Sequence, residues 1–175
     1  MRDILINIGL YEAAWFACVF GAAYGHPWLG ILVCAVAVGV QLARTDKLQS
    51  ELHLMGGIVV FGATLDSLLA HNGWINYQHA FPYASLAPLW IIALWAAFAT
   101  IVRTSLGWLK GRSVLASVLG ALGGPLAYVA GARLGAVDLI EFTPAMLTLA
   151  VGWALLMYVL SLRQFMTPQK VAAGV

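Results

Sequence analysis

"LGALGGPLAYVAGARLG" (residues 119–135) holds a single charged side chain, Arg133, and sets Gly123, Gly124 and Pro125 at its middle. A run this apolar reads as a membrane-crossing helix. Proline nevertheless removes a backbone donor and clashes one turn back, and paired glycines loosen the helix around it. The reading is a fifth span kinked or unwound at Gly123-Gly124-Pro125, which frees carbonyls near Ala121 and Leu122. Irregular backbone at that depth persists only where protein buries it or where it lines a wet cavity, and broken helices build the sites of many transporters. A plain proline kink that fits a neighbouring helix is the other reading. Ala116, Gly120 and Gly124 recur every four residues, as do Ala127, Gly131 and Gly135. Such faces let helices approach closely, so the span is expected to be central and tightly packed.

The rest of the chain agrees with a lipid solvent. Of 175 residues, 62% are hydrophobic and only 9% charged, whereas a soluble domain carries about a quarter charged residues. Six runs approach the length needed to cross the hydrocarbon core: residues 4–24, 27–43, 52–70, 86–103, 114–134 and 144–162. A helix needs about 20 such residues, so the second run is short. The fold expected is all-α: a polytopic six-helix transmembrane bundle in one domain, residues 1–165, with a short cytoplasmic tail at 166–175. "GHPW" makes the first connection tight, and Pro27 and Pro144 stand where a first helical turn tolerates proline. Glu12 and Trp15 interrupt the first apolar run, which reads as a retained helix rather than a cleaved leader.

Orientation follows from the cations. Arg2, Arg44, Lys47, Arg103, Lys110, Arg112, Arg163 and Lys170 fall on one side of the six-span scheme, and Arg133 alone falls on the other. Positive charge stays inside, so both termini are placed in the cytoplasm. Trp28, Trp74, Tyr77, Phe81, Tyr83 and Trp90 are expected to form an outer aromatic belt. The net charge of +2 gives no reason to expect nucleic acid as a partner. Cys18 and Cys34, both inside apolar runs, read as buried small hydrophobes rather than a disulfide framework.

The polar residues that lipid disfavours are the site candidates. Glu12 lies ~12 Å along the first span, near the midplane. It should face the interior, either as a proton-coupling or substrate-binding carboxylate or as a hydrogen bond that orders the bundle. Asp66 and Arg133 lie at similar depths near the outer surface, and a buried pair between them would satisfy both. The sharper reading makes Asp66 an acid at the mouth of a cavity. Trp15, Trp95 and Trp153 lie near mid-depth, filling core volume or lining an aromatic pocket for an apolar or cationic ligand. The internal polar site expected comprises Glu12, Trp15, Asp66, Gly123, Gly124, Pro125 and Arg133. His71 and His79 are outer-face candidates. No metal site and no cofactor is expected, because no histidine pair has the spacing of a ligand set.

Four stretches, "WFACVFGAAYGHPWLG" (15–30), "GATLDSLL" (62–69), "LAPLWIIALWAAFAT" (86–100) and "LGALGGPLAYVAGARLGA" (119–136), resemble a family of small bacterial inner-membrane proteins known as a domain of unknown function. The resemblance implies a Gram-negative source and genes set near fatty-acid-modifying enzymes, hence work on membrane lipids. It brings no catalytic residues with it. The leading function is a small permease or lipid-handling protein with an internal polar site. A non-catalytic scaffold or accessory subunit of a lipid-modification pathway, meeting other membrane proteins through small-residue helix faces, is the alternative. A membrane-embedded lipid-modifying enzyme using Asp66, His71 and His79 comes third, because no nucleophile–base pair or phosphate-cradling loop is present.

Overall fold

The structure, a computed structural model, describes residues 2–162 and 165. The proposed tail at 166–175, and the inside markers Arg163 and Lys170, lie outside the described residues. Six α-helices account for most of the chain: α1 (Arg2–Ala23), α2 (Pro27–Ala43), α3 (Leu48–His71), α4 (Leu89–Val102), α5 (Ser113–Arg133) and α6 (Phe142–Ser161). Of these, α1, α3, α5 and α6 are long and apolar enough to cross a membrane, and α2 and α4 are shorter apolar helices. A chain with four such helices has the character of a multi-pass membrane protein.

Two features depart from the expected layout. The connections α3–α4 and α5–α6 each contain a short strand, β1 (Ile75–Tyr77) and β2 (Val137–Leu139). These pair antiparallel, with Asn76 opposite Asp138. Irregular loops there would leave backbone groups unpaired, and the two-stranded ribbon satisfies them. The third helix also begins four residues before the expected boundary, which brings Glu51 into it. Glu51 is 1% exposed, and its carboxylate accepts from Arg103 Nη1 at 2.9 Å. A buried charge needs such a partner.

Glycine positions set how the helices meet. A Cβ at Gly30 of α2 would stand 2.5 Å from Cys18 Cα of α1, so only glycine admits that hairpin's close approach. There the Cys18 and Cys34 sulfurs lie 3.5 Å apart, both buried. Gly62 of α3 accepts the Trp95 indole of α4, and Gly152 of α6 accepts Leu65 of α3. The result is a four-helix group, α1 to α4, with α4 at its centre, and a separate α5–α6 hairpin beside it. No residue of α4 is exposed.

The opening stretch corrects two expectations. Helix α5 runs unbroken from Ser113 to Arg133 with Pro125 inside it, so nothing is unwound at Gly123-Gly124-Pro125. The helix is also not central: it is the least enclosed of the four long helices. Its buried row, Ala116, Gly120, Gly124, Tyr128 and Gly131, serves the contact side, where Gly120 meets Met157 and Gly124 meets the Trp153 indole, both of α6. The small residues therefore answer to the bulk of one partner helix. Leu122 and Leu126, at 58% and 65% exposed, leave the other side free.

Candidate functional site

Between the hairpin and the four-helix group the backbones stand apart, and a cleft occupies the gap. It encloses a cavity of about 260 Å³. Tyr11, Trp15 and Val19 of α1 form one wall and the α4 row from Trp90 to Ile101 another. Gly120, Gly123, Gly124 and Ala127 of α5 face them, with Trp153 and Met157 of α6 alongside. The chain just past the C-terminal end of α5 is tied down instead: Gln78 N–H donates to the Ala136 carbonyl at 3.0 Å, and the amides of Ile140 and Glu141 donate to the Trp74 carbonyl. The cleft is thus held open by the pairing of two loops and lined by side chains that neither fill it nor cross it. Gly123 is the clearest case, since a Cβ there would meet nothing within 4 Å.

The cleft's aromatic wall is backed by one acid. Asp66 is 0% exposed. Tyr77 Oη donates to its Oδ1 at 2.6 Å, Tyr128 Oη to the same oxygen at 2.5 Å, and Trp95 Nε1 to Oδ2 at 2.6 Å. Four elements (α3, β1, α4 and α5) meet on this carboxyl group. Burial, with the adjacent Asp66, pushes the Tyr77 hydroxyl well above the ordinary tyrosine range, so it remains a donor. Trp95 stacks on Trp153 with ring centres 4.7 Å apart, and Phe98 meets Trp153 edge to face at 5.0 Å. The Trp153 Nε1 hydrogen is the buried donor that finds no partner among the described residues.

Several expectations about individual residues change on this geometry. Asp66 does not pair with Arg133, because both its oxygens are occupied by uncharged donors and Arg133 is exposed at the end of α5. Glu12 does not face the interior. The buried row of α1 runs through Asn7, Ala14, Cys18 and Ala22, and Glu12 is exposed on the flank beyond it. The internal site is therefore not assembled as expected: Trp15, Gly123 and Gly124 share the cleft, while Glu12, Pro125 and Arg133 do not line it. His71 and His79 are exposed and make no hydrogen bond to the enclosed Asp66. Tyr77 and Trp90, expected in an outer belt, are each 2% exposed. Tyr77 serves Asp66, and Trp90 Nε1 donates to the Gln78 carbonyl at 3.0 Å.

Sequence reasoning passed over Tyr128 and Tyr77. The first had a signal, because it continues the four-residue row of Ala116, Gly120 and Gly124; the second depends on strand pairing that no local pattern announces. It also passed over a polar cluster at the far end of the helices. There Asn7 Nδ2 donates to the Thr100 carbonyl at 3.2 Å, and the Thr104 and Ser105 hydroxyls donate to Asn7 Oδ1. Nearby, Arg44 pairs with Asp3 at 2.9 Å.

The cleft lining contains no Ser, Cys, His, Lys or acid. The lining is apolar and aromatic, with the Tyr11 and Tyr128 hydroxyls as its ionisable groups, the character of a site that holds a ligand chiefly by shape and apolar contact. A family model described as "Protein of unknown function (DUF2878)" matches residues 4–159. Neither a curated protein nor a solved structure matches the chain.

Proposed function

This chain belongs to the DUF2878 family, and we propose that it is a six-span bacterial inner-membrane protein that draws an apolar molecule sideways from the bilayer into the cleft. In this reading both termini are cytoplasmic and the protein is a lipid-handling protein or small permease. The observation that carries it is the cleft itself: about 260 Å³ of apolar, aromatic-lined space beside an α5 whose outer side is bare. An apolar cavity of about 150 Å³ stays dry and takes up benzene, so a larger one accommodates a larger apolar group. In a membrane the occupant at hand is a lipid or a solute dissolved among lipids. The two shorter helices, α2 and α4, complete the six spans within this scheme, and α4 meets lipid chiefly through the cleft it walls.

The test uses the protein in nanodiscs containing a phospholipid with a photoactivatable diazirine on its acyl chain. The expected outcome is labelling concentrated on peptides bearing Tyr11, Trp15, Leu94 and Ala127, and strongly reduced in Gly123→Leu. That variant adds bulk where the native structure offers open space. Labelling spread evenly over the outer helix surfaces, and unchanged by Gly123→Leu, overturns the reading.

A second reading, a scaffold that meets partner helices, is favoured by the outward glycines Gly9, Gly39, Gly56 and Gly57. A Cβ at each would meet nothing within 4 Å. Small residues on lipid-facing surfaces are where a neighbouring helix packs closely.

A further inference from the structure

The cleft has a chemical sign as well as a shape. Its wall presents the rings of Tyr11, Trp15, Trp95, Phe98, Tyr128 and Trp153, and no Lys, Arg or His lines it. Aromatic faces carry negative charge density, so they attract cations and repel anions. Two of these rings have their polar hydrogens directed away from the cleft, onto one acid. Trp95 donates to Asp66 Oδ2 and Tyr128 to Asp66 Oδ1. Tyr128, whose O–H is shared with a carboxyl oxygen, holds more electron density in its ring, which strengthens it as a cation site; Trp95, packed between Trp153 and Gly62, adds to the wall without offering a free face. Asp66 itself has no cation among its partners; the three groups that bond it are all uncharged. Positive charge in the adjacent cleft would therefore face the one carboxyl group on which these rings converge, through a low-dielectric wall that screens little.

A second acid lies on α1. Glu12 is exposed and lies about 60° round α1 from the cleft residue Trp15. It occupies the lipid-side flank of the wall that Tyr11, Trp15 and Val19 form. A carboxyl group there has no hydrogen-bond partner within the described chain, and intramembrane acids mark ligand pathways.

Resting on the lateral-cleft reading above, we infer that the occupant is a lipophilic organic cation: an aromatic or alkyl body carrying a quaternary or protonated tertiary nitrogen. A neutral acyl chain would use the cleft's volume and leave its charge pattern without a role. An anionic amphiphile would meet ring density and find no Lys, Arg or His in the lining.

The experiment measures binding to the protein in nanodiscs with two probes of one shape, benzyltrimethylammonium and neopentylbenzene. In the second a carbon replaces the nitrogen. Calorimetry and tryptophan fluorescence give affinities corrected for partition into empty nanodiscs. The expected result is a cation bound about 10-fold or more tightly than its neutral counterpart, with cation binding lost in Gly123→Leu. Asp66→Asn, and Tyr128→Phe as the milder change that keeps the ring, are expected to narrow the preference while the size-exclusion profile stays native. Equal affinity for the two probes overturns the cation inference and leaves the cleft reading standing. Binding of neither overturns the cation inference, and the photolabelling above then decides the cleft reading separately. A cation preference that survives Gly123→Leu places the cation elsewhere on the molecule and also overturns the inference.

Discussion

Asp66 is the residue on which most of the molecule converges. Three donors from three different elements end on one carboxyl group. Its removal therefore leaves three buried donors unpaired, each costing about 1–3 kcal/mol. Asp66→Ala is expected to lower stability by about 3 kcal/mol or more, read as an earlier transition in a thermal melt of the detergent-solubilised protein. Neighbouring glycines differ in a way that sequence alone does not disclose. A Cβ at Gly124 would stand 2.2 Å from the Trp153 ring, and one at Gly123 would touch nothing. Gly124→Ala is expected to cost about 1–3 kcal/mol by overpacking. Gly123→Ala is expected to be neutral, or to stabilise by up to about 1 kcal/mol through helix propensity. Equal shifts in the two melting curves would contradict this assignment of the two sides of α5. That Asp66 matters was legible from one fact, an acid inside an apolar run. Its partners were not legible, because two of them, Trp95 and Tyr128, are brought to it across long stretches of chain by packing that no local pattern encodes.

At the scale of elements, the proline in α5 is tolerated rather than used as a break. The helix stays continuous through Pro125, and in an apolar solvent there is no water to reward an opened backbone. Pro125→Ala would return an N–H to the ladder at Ala121. It is expected to raise the melting temperature and to leave cleft labelling unchanged; lost labelling would indicate that the proline shapes the cleft. The helices themselves were legible to within a few residues at most boundaries, because apolar run length is a direct physical requirement of lipid. The row Ala116, Gly120 and Gly124 is a packing face as expected, whereas in the second row Ala127 lines the cleft and Gly135 is exposed beyond the helix end. The first row's partner was misjudged: sequence spacing reports that a close neighbour exists and says nothing of how many neighbours there are. The strands β1 and β2 had no such signal, since three-residue segments pair only after the helices that carry them have come together.

At the scale of the whole molecule, a four-helix group and a hairpin are joined by the strand pair, by the Asp66 cluster and by Leu65 against Gly152. The cleft exists because these ties hold the two parts together while α5 stands off from α1 and α4. Photolabelling tests whether that gap is open to lipid, and the probe pair tests what fills it.

The central helix carries a consequence for how the molecule is made. Helix α4 has fourteen residues, fewer than the ~20 that cross a bilayer alone, and none of its residues is exposed. A segment enclosed by its neighbours over most of its surface has less need to match lipid thickness, yet it leaves the ribosome before α5 and α6 do. In the finished molecule α1, α2 and α3 receive it, with Gly62 of α3 admitting Trp95. A chain that packs as it is made, N-terminal elements first, would form a socket from three helices, seat the fourth and close the hairpin last against Asp66. On that order the cleft is the seam along the final joint.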